Sequence, residues 1–456
     1  MKLGRKNDML NGTEWVSIMR FSIPLMFGNL LQQLYNTVDG MVVGNYIDSS
    51  ALAAVGNCSA ISFFLISFAI GISTGCGIVI SQYFGAQRHD QVKGTVSSGA
   101  VLMLGAGVVI SLLGIIFARG ILAGLLRIED PVVLKYAVTY LKIYCAGLVL
   151  TYGYNLISAA LRAVGDSAAT LYFLAISSVV NLVLDLILVK SMGVAGAALA
   201  TVIAQGLCFV CCILYMYLRH PAFRFRKGDF TVQPDKLLLC LRLGIPGALQ
   251  QCSVSLGHLV MQRLVNHFGV VTMAAYTVGA KIERYVSIPL GGMQMGISTF
   301  TGQNVGAGKP ERIKRGLYQS ELVAVIITAV LSVPVYIFAR PLVSIFGLTG
   351  EEVTQAVEYV RFLVPLCTVI FAMYFIFNGL LQGAGDVMYT TFCSLSSLIA
   401  RIIYAYVMTF AFSASYSVCW YSIFISNAWS LVFAAGRYYS GAWKKKSQKI
   451  IHSEQS

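Results

Sequence analysis

The sequence predicts an all-α integral membrane protein in which twelve transmembrane helices form two parallel six-helix repeats around a central cavity. Three observations predict it. Of 456 residues 57% are hydrophobic and 11% charged, against about 25% charged in ordinary soluble domains. Apolar runs long enough to cross ~30 Å of hydrocarbon as a helix recur along the whole chain. The second half of the chain then repeats motifs of the first in the same order.

The apolar runs centre near residues 28, 66, 104, 144, 178, 205, 250, 286, 325, 365, 399 and 428. The net charge of +14 comes from 33 Lys and Arg, and their placement is one-sided. Lys2, Arg5, Lys6, Arg20, Arg88, Lys93 and Arg162 share a side with Arg219, Arg224, Arg226, Lys227, Lys236 and Arg242 of the longest loop. Lys309, Arg312, Lys314, Arg315, Arg437, Lys444, Lys445, Lys446 and Lys449 join them. Outside the helices only Arg119, Arg127, Lys190, Arg263 and Arg340 face the other way. This asymmetry puts both termini in the cytoplasm and removes the need for a nucleic-acid partner. The apolar segment after the polar start is too long for a signal-peptide core and is expected to be retained. The 11 cysteines, most of them in apolar helices and none at metal-ligand spacing, read as small buried side chains.

"RFSIP" from Arg20 returns as "RLGIP" from Arg242, "GISTGCGIVISQYFGA" from Gly71 as "GMQMGISTFTGQNVGA" from Gly292, and "LRAVGD" from Leu161 as "LQGAGD" from Leu381. The period is about 221 residues (292 minus 71). An even number of helices per repeat gives both halves one orientation, related by an axis along the membrane normal. The expected division is an amino-terminal lobe at 1–218, a cytoplasmic linker at 219–238, a carboxy-terminal lobe at 239–440 and a basic tail at 441–456. Substrate sites in such architectures lie between the repeats near mid-membrane, which makes a transporter the expectation by fold analogy.

In the first span Asn29, Gln33, Asn36 and Asp39 line one helical face, and in the seventh Gln251, Ser255, His258 and Gln262 do the same. Gln251, Ser255 and His258 are the repeat partners of Asn29, Gln33 and Asn36. Hydrocarbon penalises such groups, so both stripes are expected to face an inner, wet cavity. Tyr35, Asn155, Glu283 and Arg401 complete the candidate cavity set.

The ionisable groups break the repeat, since Asp39 corresponds to Met261, Asp185 to Ala405 and Asn181 to Arg401. Asn181 and Asp185 share a face of the fifth span with Ser177, and Thr201 of the sixth could reach the same place. The first half offers these acids no basic residue in spans one, two, five or six. Two carboxylates without a counter-charge in a low-dielectric interior take up a proton or a Na+ ion, so Asp39 and Asp185 are the candidate coupling site. Lys281, Glu283 and Arg284 of the eighth span could neutralise one another. The Gly71–Gly75 stretch fits a G-x-S-x-G nucleophile pattern, but in a membrane helix it reads as close G-x-x-x-G packing. "GQNVGAGK" lacks the first Gly and the Ser or Thr of a phosphate loop, so energy must come from an ion gradient or a partner chain, with neither catalytic residues nor a cofactor.

The two parallel sixes, "IPLMFGNLLQQLYNTVDGMVVGNY", "GQNVGAGKPE", "LRAVGD" and the Asn181/Asp185 pair together resemble the multidrug and toxic-compound extrusion (MATE) transporters, above all the DinF-like branch with MepA-type pumps. The resemblance implies export of cationic and amphipathic drugs in exchange for H+ or Na+; a bacterial cell membrane and a monomer are the accompanying expectations. It implies an ion site at Asp39, Asn181, Asp185 and Thr201, with Asn155 and Gln33 near the drug cavity. A carboxylate in the seventh span marks the other prokaryotic branch, and here none lies between Leu239 and Arg263. Two rival readings are a lipid-linked saccharide flippase, which would want several Arg or Lys in the cavity, and a scaffold without transport, which leaves the buried acids unexplained.

Overall fold

The computed structural model describes residues 8–225 and 229–452. The first half comprises α1 (Glu14–Tyr46), α2 (Ser49–Gly85), α3 (His89–Gly120), α4 (Pro131–Ala146), α5 (Leu148–Ala163), α6 (Ser167–Met192) and α7 (Val194–Arg219). The second comprises α8 (Pro234–His267), α9 (Val270–Gly306), α10 (Pro310–Ile337), α11 (Ala339–Ser344), α12 (Gly350–Gly383), α13 (Val387–Phe410) and α14 (Val418–Tyr439), with α15 (Ala442–His452) after it. Among the described residues there is no strand.

Nine of these helices are long and apolar enough to cross a membrane, and α4 with α5, bent by 48° where they meet at Gly147, makes a tenth. The 33-residue α1 and the 37-residue α9 complete the twelve. Their apolar runs are interrupted by the polar stripe of α1 and by Lys281, Glu283 and Arg284 in α9. The protein is thus an all-α, multi-pass membrane protein of two repeated halves. All 11 cysteines are free, and all but Cys211 are buried.

The halves repeat their packing as well as their sequence. In the first, α2 packs on α3 and α5, α5 on α3 and α7, and α6 on α7; in the second, α9 packs on α10 and α12, α12 on α10 and α14, and α13 on α14.

Compactness nevertheless divides the chain differently from the repeat. One unit is Phe27–Leu249 and the other is Asp8–Met26 with Gln250–Ser456, so the first turns of α1 and of α8 each belong with the opposite half. Paired glycines account for it. A Cβ on Gly71 would stand 2.1 Å from Ala248 N, and one on Gly75 2.6 Å from Gly244 N, so α2 and the start of α8 touch backbone to backbone. In the other unit a Cβ on Gly292 would stand 2.7 Å from Met26 Cγ, and one on Gly296 2.1 Å from Ser22 Oγ, which seats the start of α1 on α9. Small residues permit this approach, and dispersion between closely packed helices holds it in lipid. Ile18, Phe21 and Leu25 of α1 join the same buried apolar cluster as Leu290, Met293, Ile297 and Phe300 of α9.

The turn between α2 and α3 holds Gln87 at φ 60°, and its repeat partner between α9 and α10 is Gly308 at φ 66°. An L residue pays for this left-handed conformation and glycine does not. Because the Gln87 side chain is exposed, Gln87→Gly is expected to stabilise the protein by about 1 kcal/mol. Thermal melting of the detergent-purified variant checks it; an unchanged or lower midpoint contradicts it.

Candidate functional site

α6 is a helix turned inside out. Ser177, Asn181, Asp185 and Val189, each four residues from the next, are buried, while Ile176, Val179, Val183 and Ile187 are exposed. An exposed apolar face suits lipid, so the polar face must be satisfied by protein. Ser177 Oγ donates to the Ala204 carbonyl of α7 at 2.9 Å. Oriented so that both its ends are satisfied, the Asn181 amide donates to Asp185 Oδ2 at 2.7 Å and accepts from the Thr201 N–H at 3.1 Å. The Thr201 hydroxyl donates to the Ala197 carbonyl at 3.1 Å.

Asp185, 1% exposed, lies within hydrogen-bonding reach of Asp39 on α1. Two carboxyl groups can bond each other only if one holds a proton, because an ionised carboxylate has acceptors alone. Oδ1 of Asp39 and Oδ1 of Asp185 have no hydrogen-bond partner among the described residues, and no ion pair to a basic group there involves either acid. Tyr35 of α1 comes within reach of Thr201. Tyr140 and Tyr144 of α4, stacked with ring centroids 6.2 Å apart, stand within electrostatic range of Tyr35, and Tyr140 also of Asp39. The first unit therefore gathers Tyr35, Asp39, Asn181, Asp185 and Thr201 in one place. Its free carboxylate oxygens, beside an amide and two hydroxyls, suit a proton or a small hard cation.

The second unit builds something different at the corresponding place. Glu283 of α9 accepts a hydrogen bond from Tyr359 Oη at 2.6 Å. Arg401 of α13, where the repeat has Asn181, donates to Tyr276 Oη and to Ser422 Oγ, both at 3.4 Å. Trp420 stacks on Tyr276 with centroids 5.9 Å apart and meets Tyr359 edge-on at 4.8 Å. Pairing among Lys281, Glu283 and Arg284 is one of the readings the sequence leaves open. Lys281 Nζ lies over the Phe346 ring at 5.8 Å, and no ion pair joins the three. Glu283 lies two residues from Lys281 and one from Arg284, spacings that do not bring side chains together on one helical face.

Asn155 donates to Thr151 of its own helix at 2.8 Å, and Gln33 and Gln251 are half-buried on α1 and α8. The side chains of Asn36, Ser255 and His258 lie outside the described residues. Among the described residues no group of three or more His, Cys, Asp or Glu could hold a metal. Sequence reasoning passed over Tyr140, Tyr144, Tyr276, Tyr359 and Trp420, since an aromatic in an apolar helix carries no mark distinguishing a site wall from core. The repeat offered one signal: Tyr359 falls two residues before the position that the period of about 221 matches to Tyr140.

Asp166 holds the start of α6. Its carboxylate accepts from the Ala169 N–H at 3.2 Å, Tyr215 Oη at 2.8 Å and His220 Nε2 at 2.9 Å. Burial pushes its pKa up, but the hydrogen bonds from His220, Tyr215 and Ala169 outweigh burial and hold it below the usual carboxylate value. Asp166→Asn is expected to cost about 2 kcal/mol at neutral pH. A depressed carboxyl contributes above its unfolded pKa and loses that contribution as pH falls through its folded one. The gap between parent and variant should therefore hold down to about pH 4 and close only below it. Melting curves across pH check this, and a gap that closes by pH 6 contradicts it.

The MatE family model matches residues 24–187 and 246–407, once in each half. The "Probable multidrug resistance protein YoeA" of Bacillus subtilis (strain 168) is 29% identical over 442 residues, 95% of either chain. The "Multidrug export protein MepA" of Staphylococcus saprophyticus is 26% identical over 383 residues, 81% of each. A structure described as "Outward-facing conformation of a multidrug resistance MATE family transporter of the MOP superfamily" matches with a TM-score of 0.89 at 23% identity, covering 98% of this chain and 100% of that one. A family model that fits both halves of a twelve-helix chain leaves one conclusion: the protein belongs to the MATE family of membrane transporters, which are not enzymes.

Proposed function

We propose that the protein is a secondary active multidrug efflux transporter, exchanging cationic and amphipathic organic compounds for H+ or Na+ by alternating access. Both termini face the cytoplasm of a bacterial cell membrane, the monomer is the working unit, and no cofactor is needed beyond the coupling ion. The observation that carries this reading is the pair of buried acids, Asp39 and Asp185, without a basic partner among the described residues and with a free oxygen on each. A membrane protein retains such a pair at a cost of about 2.5 kcal/mol or more per charge, which favours a working role for it. The names of the relatives, a multidrug resistance protein and a multidrug export protein, support the substrate class.

The energetics suffice. A proton entering down about 100 mV and one pH unit releases ~3.7 kcal/mol, enough to sustain a gradient of several hundred-fold in a neutral compound exchanged one for one. The test is efflux of a fluorescent cationic dye from liposomes containing the purified protein, with pH and Na+ gradients imposed separately. Efflux under at least one gradient, collapsed by the matching ionophore, is expected. Dye movement that ignores both, or a polyprenyl diphosphate binding more tightly than any dye, would overturn it.

A further inference from the structure

Facing lipid on the second unit, α10 and α12 enclose an apolar cleft of about 320 Å³ lined by Ala329, Ser332, Val333, Tyr336 and Ile337 of α10 and by Pro365 and Val369 of α12. Ser332 is turned inward, its hydroxyl donating to the Val364 carbonyl at 3.1 Å, so the cleft offers an occupant almost no polar group. Val333, Tyr336 and Ile337 are 56%, 46% and 59% exposed, so the cleft opens to the side rather than into the bundle.

Its upper end is charged. Arg361 lies one helical turn before Pro365 and two before Val369, on the same face of α12, and its guanidinium lies over the Tyr336 ring at 5.5 Å. Arg361 is exposed and makes no ion pair among the described residues, while nearby Glu358 is bonded to Tyr416 Oη at 2.9 Å. After Arg361 the chain reads "FLVPLCTVIFAMYFIFNGLL", an uncharged run that fills the hydrocarbon. The guanidinium therefore sits at headgroup level, and the cleft descends about 12 Å from it along α12. It does so at the membrane face opposite Lys309, Arg312, Lys314 and Arg315, which flank the start of α10.

A single cation at headgroup level above an apolar cleft matches one kind of ligand, and we infer that this cleft binds an anionic phospholipid, its phosphate on Arg361 and an acyl chain between α10 and α12. Arginine suits phosphate because its fork donates two parallel hydrogen bonds and Tyr336 holds its plane. An apolar chain suits the cleft because filling it restores the dispersion contacts its walls lack. The inference is independent of which ion or drug the protein carries.

Native mass spectrometry of the full chain in detergent tests it, with phosphatidylglycerol and phosphatidylcholine bearing identical oleoyl tails. Phosphatidylglycerol should bind about tenfold more tightly, because both lipids offer Arg361 a phosphate but the choline ammonium of phosphatidylcholine offsets its attraction to the guanidinium and leaves that lipid without net charge. Arg361→Gln should erase that preference and keep the weaker binding common to both lipids. Val333→Trp, which fills the cleft from its exposed wall, should reduce binding of both. If Val333→Trp folds poorly, Ala329→Leu gives the same reading, and unchanged melting midpoints identify usable variants. Glycerol phosphate, a headgroup without tails, should not compete. Equal affinity for the two lipids in the parent, undiminished preference in Arg361→Gln, undiminished binding in the filled variants, or competition by glycerol phosphate at lipid concentrations would each overturn the assignment.

Discussion

Asp185→Asn is expected to insert and fold like the parent and to lose at least about tenfold in dye efflux under either a proton or a sodium gradient. Neutralising an intramembrane acid is inexpensive, and the amide keeps the shape that Asn181 bonds at 2.7 Å. What it cannot do is change charge, so it exchanges no proton and ligates Na+ poorly. Asp39→Asn should do the same, and the double variant should be little worse than either single one, because parts of one site are not additive. Asn181→Ala should weaken coupling less, since it removes a neutral ligand and leaves both acids. Wild-type pumping by Asp185→Asn would remove this residue from the coupling site.

The buried polar face of α6 was legible in the sequence because lipid is an unforgiving solvent. Asp185 and Asn181 stood out in a run otherwise suited to hydrocarbon, and helical spacing put them with Ser177 on one face, the face α6 buries. The twelve spans were legible for the same reason, and the bend in α4–α5 at Gly147 left their shared apolar run intact. Less was legible where the question was which helix meets which. The glycine pair on α2 announced a close contact but not its partner, and only the structure puts Ala248 of α8 against Gly71. The second unit's polar cluster stayed open in the sequence because three charges close together can pair, and it is the structure that sends Glu283 to Tyr359 and Lys281 to Phe346.

The largest expected effect on stability lies at that glycine contact. Gly71→Leu should sharply reduce folded, monodisperse protein, because the new Cβ would stand 2.1 Å from the Ala248 backbone nitrogen and 2.4 Å from its Cα, with no side-chain end to yield. Overpacking costs about 1–3 kcal/mol where side chains can shift, and a backbone-to-backbone clash belongs at or above the upper end. Gly105→Leu on α3, with nothing within 4 Å of the added Cβ, is the matched control and should behave like the parent. Size-exclusion profiles with a thermal ramp compare the two. If Gly71→Leu melts with the parent, α2 and α8 are not held by this contact.

The central claim is that Asp39 and Asp185 bind the ion whose movement drives export, and ion release on substrate binding tests it most directly. Purified protein in weak buffer, with an indicator for protons and an electrode for Na+, is titrated with a cationic dye. The parent should release one of these ions as dye binds, and Asp185→Asn should bind dye with that release abolished. Release of the same ion, in the same amount, from the variant would contradict the account.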